Sequence, residues 1–171
     1  MGKDCFCGVE AVLKKVATHL QEHGWVLGTA ESCTGGMVAA LCTALAGSSS
    51  WFEGGVVSYA NAAKIGLLGV EPDLIDLHGA VSQPVAESMA LGTLKALNVD
   101  ISVAITGIAG PTGGTEEKPV GTVWVAVGMR HPKPSAISRR FVFKGDRQQV
   151  RLGATQTALY LILETLRSYA K

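Results

Sequence analysis

Residues 25–47 read WVLGTAESCTGGMVAALCTALAG, and the fold turns on how they are read. WVLGTA (25–30) is a short apolar run with β-branched residues, the pattern of a buried strand. ESCTGG (31–36) breaks the run with small and polar residues. MVAALCTALAG (37–47) then reads as a helix ended by Gly47. Strand, tight turn and helix follow one another directly.

The same order recurs downstream, and a helix precedes it. Downstream, the β-prone run from Val56 to Tyr59 enters a short helical stretch from Ala62 to Leu68, stopped by Gly69. Upstream, Val9, Val12, Leu13, Val16 and Leu20 recur at helical spacing, with Gly24 where an end is expected. EPDLIDLHGA (71–80) reads as a short helix or turn with a proline at its start. SQPVAESMALGTLKALN (82–98) reads as a longer helix with Ser82 at its cap, Pro84 in its first turn and Asn98 at its end.

ISVAITG (101–107) is the clearest buried strand, and a glycine-rich loop separates it from the strand GTVWVAVGMR (121–130). SAISRRFVFKG (135–145) alternates apolar and basic residues, and as the next strand in sequence it should pair with its predecessor as a hairpin. A long helix capped by Asp146 follows. Strands interleaved with helices predict a three-layer α/β/α sandwich, and the late hairpin predicts a mixed, mostly parallel sheet of about five or six strands. No repeat or linker is visible, so one domain over 1–171 is expected, with 111–119 and HPKPS (131–135) as surface excursions.

Composition narrows the function classes. Apolar residues make up 47% and charged residues 17%, a balance that suggests extensive burial with room for a subunit interface. A net charge of +1 gives no reason to expect nucleic acid or an anionic membrane as partner. Lys3, Asp4 and Glu10 interrupt the start, and no run approaches the roughly 20 apolar residues of a membrane span, so a cytoplasmic location is expected. Cys5, Cys7, Cys33 and Cys42 lack the paired spacing of a zinc site and read as reduced thiols. Glu31, Glu116 and Glu117 show no ligand spacing, so neither a metal nor another cofactor is expected.

Serine needs a base and oxyanion donors to act as a nucleophile. Ser32, between a strand end and a helix start, has an address where unpaired N–H groups and the helix dipole favour negative charge, and Gly35 and Gly36 allow a substrate close to the backbone. The plainer reading is that Ser32 or Thr34 only caps the helix. Cys33 is either a second nucleophile or a packed small residue. The motif is not G-x-S-x-G, and His19, His23, His78 and His131 sit on a polar helix face, near helix ends or in a loop. Lys64, after the second strand-to-helix transition, is then the best base, provided both transitions share one sheet edge; otherwise it is an exposed helix lysine. Tyr59 either donates to the serine or leaving group or merely packs. TGIAGPTGG (106–114) offers backbone N–H groups to a phosphate or carbonyl oxygen, or only makes turns. Arg147 and Arg151, on one face of the last helix, either grip a phosphate or are solvated.

Taken together, TAESCTGG, SYANAAKIG, HGAVS, ITGIAGPTGGTEEKPVGTVW and F-x-F-K-G-D-R resemble the CinA C-terminal domain family, in the same order and from about Val9 to the last helix. The resemblance implies hydrolysis of the carboxamide of nicotinamide mononucleotide to nicotinate mononucleotide and ammonia, an activity of the family's stand-alone members in pyridine-nucleotide salvage. It implies an α/β/α fold, an oligomer, a nucleophile at Ser32 and catalytic partners at Lys64 and Tyr59. Thr34, Gly35, Gly36, Thr106, Gly107, Ala109, Gly110 and Arg147 are implied as substrate-binding residues. Longer family members carry a further N-terminal domain associated with pyrophosphatase activity; the first family helix starts too early here for that chemistry to be expected. A different class also fits: a nucleotide-binding or competence-related interaction module without important turnover. A phosphate-ester hydrolase fits less well, for lack of a carboxylate cluster.

Overall fold

The computed structural model describes residues 8–169. Cys5 and Cys7 lie outside them. The elements run α1 (Val9–His23), β1 (Leu27–Glu31), α2 (Met37–Ala44), β2 (Phe52–Val57), α3 (Asn61–Leu68), α4 (Pro72–His78), α5 (Gln83–Ala96), β3 (Ile101–Gly107), β4 (Thr122–Met129), β5 (Ser135–Val142) and α6 (Arg147–Tyr169). The expected α/β/α layering and the hairpin are both present. Five strands are ordered β2-β1-β3-β4-β5. β1 pairs in parallel with β2 and β3, while β3–β4 and β4–β5 are antiparallel, so only β4 runs against the rest.

Period-two alternation gives the sheet two unlike faces. Leu27, Ile101, Val103, Ile105, Val123, Val125 and Val127 point into one core against α1, α2 and α6. Ala30, Ala104 and Ala126 point into a second core, where Val85, Ala86, Met89 and Ala90 of α5 cover them. Small residues on that face let α5 approach closely: a Cβ on Gly128 would stand 2.5 Å from Ser102 Oγ, which itself donates to Ala90 O at 2.7 Å.

Most helix ends follow the signals in the sequence, but α2 stops at Ala44 with Leu45 in extended conformation at its cap, short of the expected Gly47, which instead leads into a single 3-10 turn at Ser48–Ser50. Gly24 N–H and Trp25 N–H bond Gln21 O and Leu20 O, closing α1 as a glycine-terminated turn. Asp146 Oδ1 accepts Gln149 N–H and Gln149 Oε1 accepts Asp146 N–H, both at 2.8 Å, a reciprocal capping box at the start of α6. Ser82 holds the cap position of α5, but its hydroxyl donates to Gly79 O at 2.8 Å instead of accepting from the helix.

The second strand differs from its expected bounds. β2 begins at Phe52 and ends at Val57, before Ser58 and Tyr59. Gly54 and Gly55 mask it in the sequence, because glycine pairs weaken any strand pattern. They are there for space: a Cβ on Gly55 would lie 2.5 Å from Thr29 Oγ1 on β1.

Candidate active site

The connection from β1 through α2 leads to β2 on one side of β1, and the chain then returns through α3, α4 and α5 to β3 on the other side. This reversal makes the C-terminal end of β1 a switch point, where open α/β sheets leave a crevice. Ser32 is the first residue beyond β1. Its N–H bonds Ile105 O of β3 at 3.0 Å, and Ser58 N–H bonds Glu31 O at 2.9 Å, so both neighbouring strands fix the serine's position.

Lys64 meets it there. The lysine is 1% exposed and Ser32 8% exposed. Lys64 Nζ lies 3.2 Å from Ser32 Oγ, 3.0 Å from Ser58 O and 3.1 Å from Tyr59 O. The exposed-helix alternative for Lys64 is therefore wrong: α3 starts directly behind β2 and turns the side chain inward under the sheet edge. Burial pushes the Lys64 ammonium below its ordinary range, and no carboxylate salt-bridges it among the described residues. In its neutral form two N–H groups serve the two carbonyls, which leaves the nitrogen lone pair for the Ser32 hydroxyl.

The capping explanation of Ser32 and Thr34 also fails. α2 has Gly36 at its cap with no bond from that residue's side, and the donors of its first turn belong to Glu31. Glu31 is 1% exposed. Its Oε2 accepts from Gly36 N–H at 2.9 Å and Val38 N–H at 3.2 Å, and its Oε1 accepts from Ala39 N–H at 2.9 Å. A buried carboxylate thus caps the helix from the strand end, and Ser32 is left free of that task. In the sequence Glu31 suggests only a metal ligand; the signal for its capping role is an acidic residue shortly before a helix start, five positions ahead of the cap residue Gly36.

Between Ser32 and Gly35 the chain makes a reverse turn closed by Gly35 N–H to Ser32 O at 3.1 Å. Gly35 and Gly36 have φ of +62° and +96°, which explains why both are glycine. The N–H groups of Cys33 and Thr34 find no acceptor among the described residues. Thr34 Oγ1 is likewise buried without a partner. The Cys33 thiol is packed in the core, where burial pushes it up to about 11, so it does not compete as a thiolate near neutral pH.

The remaining expected residues divide. Tyr59 places its carbonyl on Lys64, but its ring is exposed and its hydroxyl accepts from Arg147 Nη2 at 3.2 Å. Arg147 Nη1 donates to Gly110 O at 2.8 Å, tying the glycine-rich loop to the start of α6. Thr106 is buried and donates to Ala80 O at 2.8 Å, so its hydroxyl serves the α4–α5 connection. Gly107 lies against β4, where a Cβ would stand 2.7 Å from Val123 Cγ2, and Ala109 is buried in the core. Arg151 does not stand beside Arg147 as a second free cation: its Nε and Nη2 donate to Cys33 O and Thr34 O, each at 3.0 Å. None of the four histidines bonds Ser32 or Lys64.

A three-layer α/β protein that buries a serine–lysine pair at the switch point of its sheet is the class that this fold and site define. The chain belongs to the CinA C-terminal domain family, whose model matches residues 9–166. Nicotinamide-nucleotide amidohydrolase PncC of Escherichia coli strain K12 is 51% identical over 146 residues, spanning 85% of this chain and 87% of that protein. A CinA-like protein of Mycobacterium sp. strain JLS is 52% identical over 144 residues, which are 84% of this chain and 34% of that longer protein. The crystal structure of a CinA superfamily protein from Klebsiella pneumoniae 700603 matches with a TM-score of 0.88 at 36% identity, covering 94% of this chain and 99% of that one. No helix among the described residues is long and apolar enough to cross a membrane.

Proposed function

We propose that the protein is a nicotinamide-nucleotide amidase that hydrolyses the carboxamide of nicotinamide mononucleotide to nicotinate mononucleotide and ammonia, with Ser32 as nucleophile and Lys64 as base. The observation that carries the reading is the 3.2 Å approach of Lys64 Nζ to Ser32 Oγ. The relatives named for this activity, at about half identity over most of the chain, support the substrate.

Each step uses a group at the site. Neutral Lys64 takes the hydroxyl proton of Ser32 as Oγ bonds the carboxamide carbon, and the carbonyl electrons move to oxygen. The free N–H groups of Cys33 and Thr34 receive that oxyanion, at the end of the strand and beside a helix start. Lys64 then returns the proton to the amide nitrogen, the C–N bond breaks and ammonia leaves. Tyr59 is the alternative donor for this step, but Lys64 is the group that touches Ser32. Water adds to the acyl carbon as Lys64 takes its proton; Lys64 then returns that proton to Ser32 Oγ as the ester C–O bond breaks, which releases nicotinate mononucleotide and restores the hydroxyl and the neutral amine. No step calls for a metal.

Thr34, Gly35 and Gly36 would line the approach of the flat carboxamide, and the backbone of Gly107 and Gly110 with Arg147 would form the wall facing the ribose phosphate, supported from behind by the buried Thr106 and Ala109. Residues 1–171 would act as one amidase domain, in the cytoplasm and as a homo-oligomer. Ammonia release from nicotinamide mononucleotide by wild type, Ser32→Ala and Lys64→Ala tests the reading. Wild-type turnover with loss of at least a thousandfold in both variants is expected, about what removal of a nucleophile or its base costs. Substantial turnover by Ser32→Ala, or tight mononucleotide binding by a wild type that releases no ammonia, would overturn it; the latter result belongs to a binding module.

A further inference from the structure

The reverse turn at Ser32 poses a problem of orientation that the groups described so far leave unsolved. Its ends are fixed: Ser32 N–H is held by Ile105 O, and Gly35 N–H closes on Ser32 O. Its central peptide, between Cys33 and Thr34, takes part in neither bond. Central peptides of reverse turns are the ones that differ between the two common turn types, by a near reversal of where the carbonyl and N–H point. Oxyanion binding by Thr34 N–H requires one of those orientations to be kept.

Arg151 supplies what keeps it. From α6, its Nε donates to Cys33 O and its Nη2 to Thr34 O, both at 3.0 Å. In a trans peptide the carbonyl and the N–H point in opposite directions. Holding Cys33 O against the guanidinium therefore sends Thr34 N–H to the far side of the turn, where it has no acceptor among the described residues. A reversed peptide would set Thr34 N–H against the donors of Arg151. It would also drive Thr34, a β-branched residue, to positive φ; among the described residues the only non-glycine residue found there is Asn98.

We propose that Arg151 is a positioning residue of the amidase: by gripping the carbonyls of Cys33 and Thr34 it aims the Thr34 N–H at the oxyanion formed on addition of Ser32. It acts through the backbone and touches no substrate. The proposal rests on the serine amidase reading given above. Its chemistry asks for a planar fork that reaches two carbonyls at once, so a lysine of the same charge is not a substitute.

Steady-state ammonia release by Arg151→Ala and Arg151→Lys, with the thermal transition of each recorded, tests it. The loss of one oxyanion donor costs about a hundredfold to a thousandfold in kcat. Because Thr34 itself still resists reversal, the expected loss is about tenfold to a hundredfold in kcat for both variants, with KM within about threefold of wild type. Millimolar guanidinium chloride should restore kcat to Arg151→Ala, since Arg151 is only partly buried. Wild-type kcat in Arg151→Lys, a loss confined to KM, absence of guanidinium rescue, or collapse of the thermal transition in both variants would each overturn the proposal. The underlying reading fails separately, through an inactive wild type or an active Ser32→Ala; a working wild type with a dead Ser32→Ala and a fast Arg151→Lys refutes the positioning role alone.

Discussion

Replacing Glu31 by glutamine changes one atom and should cost the protein a large share of its stability. The carboxylate accepts three backbone N–H groups, from Gly36, Val38 and Ala39, in a position 1% exposed to solvent. An amide keeps one acceptor oxygen and turns the other into a donor. In its better orientation the oxygen still serves Gly36 and Val38, and the new NH₂ group faces the Ala39 N–H, leaving two donors opposed without water. A buried unsatisfied polar group costs about 1–3 kcal/mol, and loss of the negative charge at the helix start adds up to about 1 kcal/mol. A total of about 3 kcal/mol corresponds to a fall in Tm of about 6–12 °C for a chain of this size. Urea unfolding of wild type and Glu31→Gln, with Glu53→Gln as the exposed control expected to stay within about 0.5 kcal/mol, measures the difference. Because the same carboxylate ties the Ser32 turn to α2, ammonia release should also drop by about tenfold or more. A Glu31→Gln protein that melts within about 2 °C of wild type would refute the reasoning.

Burial lowers the Lys64 pKa below 10.5, so between the lowered folded value and 10.5 only the unfolded chain holds the proton. Stability then rises with pH through that window, and it is lost as pH falls through the folded value. Lys64→Met, which carries no charge, should be more stable than wild type near neutral pH, with a gap that narrows as pH rises toward 10.5; a gap that widens in thermal melts contradicts the assignment. Gly92 of α5 faces the end of α3, where a Cβ would lie 2.0 Å from Leu68 O. Gly92→Ala should therefore destabilise by about 1–3 kcal/mol in urea unfolding, and a neutral result would mean that the two helices separate freely.

Much of the fold could be read from local pattern. ISVAITG and VWVAV announce strands because a sheet buried on both faces tolerates few polar residues, and Val9 to Leu20 announces a helix because its apolar residues repeat with the helical period. β2 escaped in its first half because Gly54 and Gly55 carry no such signal; their absence of side chains answers to Thr29 on the neighbouring strand. Ser82 stands at the cap position that the sequence marks, yet its hydroxyl bonds Gly79 O, since composition marks helix starts without saying which of two nearby groups the hydroxyl will choose.

By itself the sequence determined the order and type of the elements, the address of Ser32 at a strand end and the family, because period, turn chemistry and motif order are all written along the chain. Tertiary structure alone decided that Lys64 is buried 3.2 Å from that serine, that Glu31 caps α2, and that Arg151 reaches back to Cys33 and Thr34. The reason is physical: a hydrogen bond depends on where two groups lie in space. Strand order and crossover direction set those positions, and no local pattern in the chain records them.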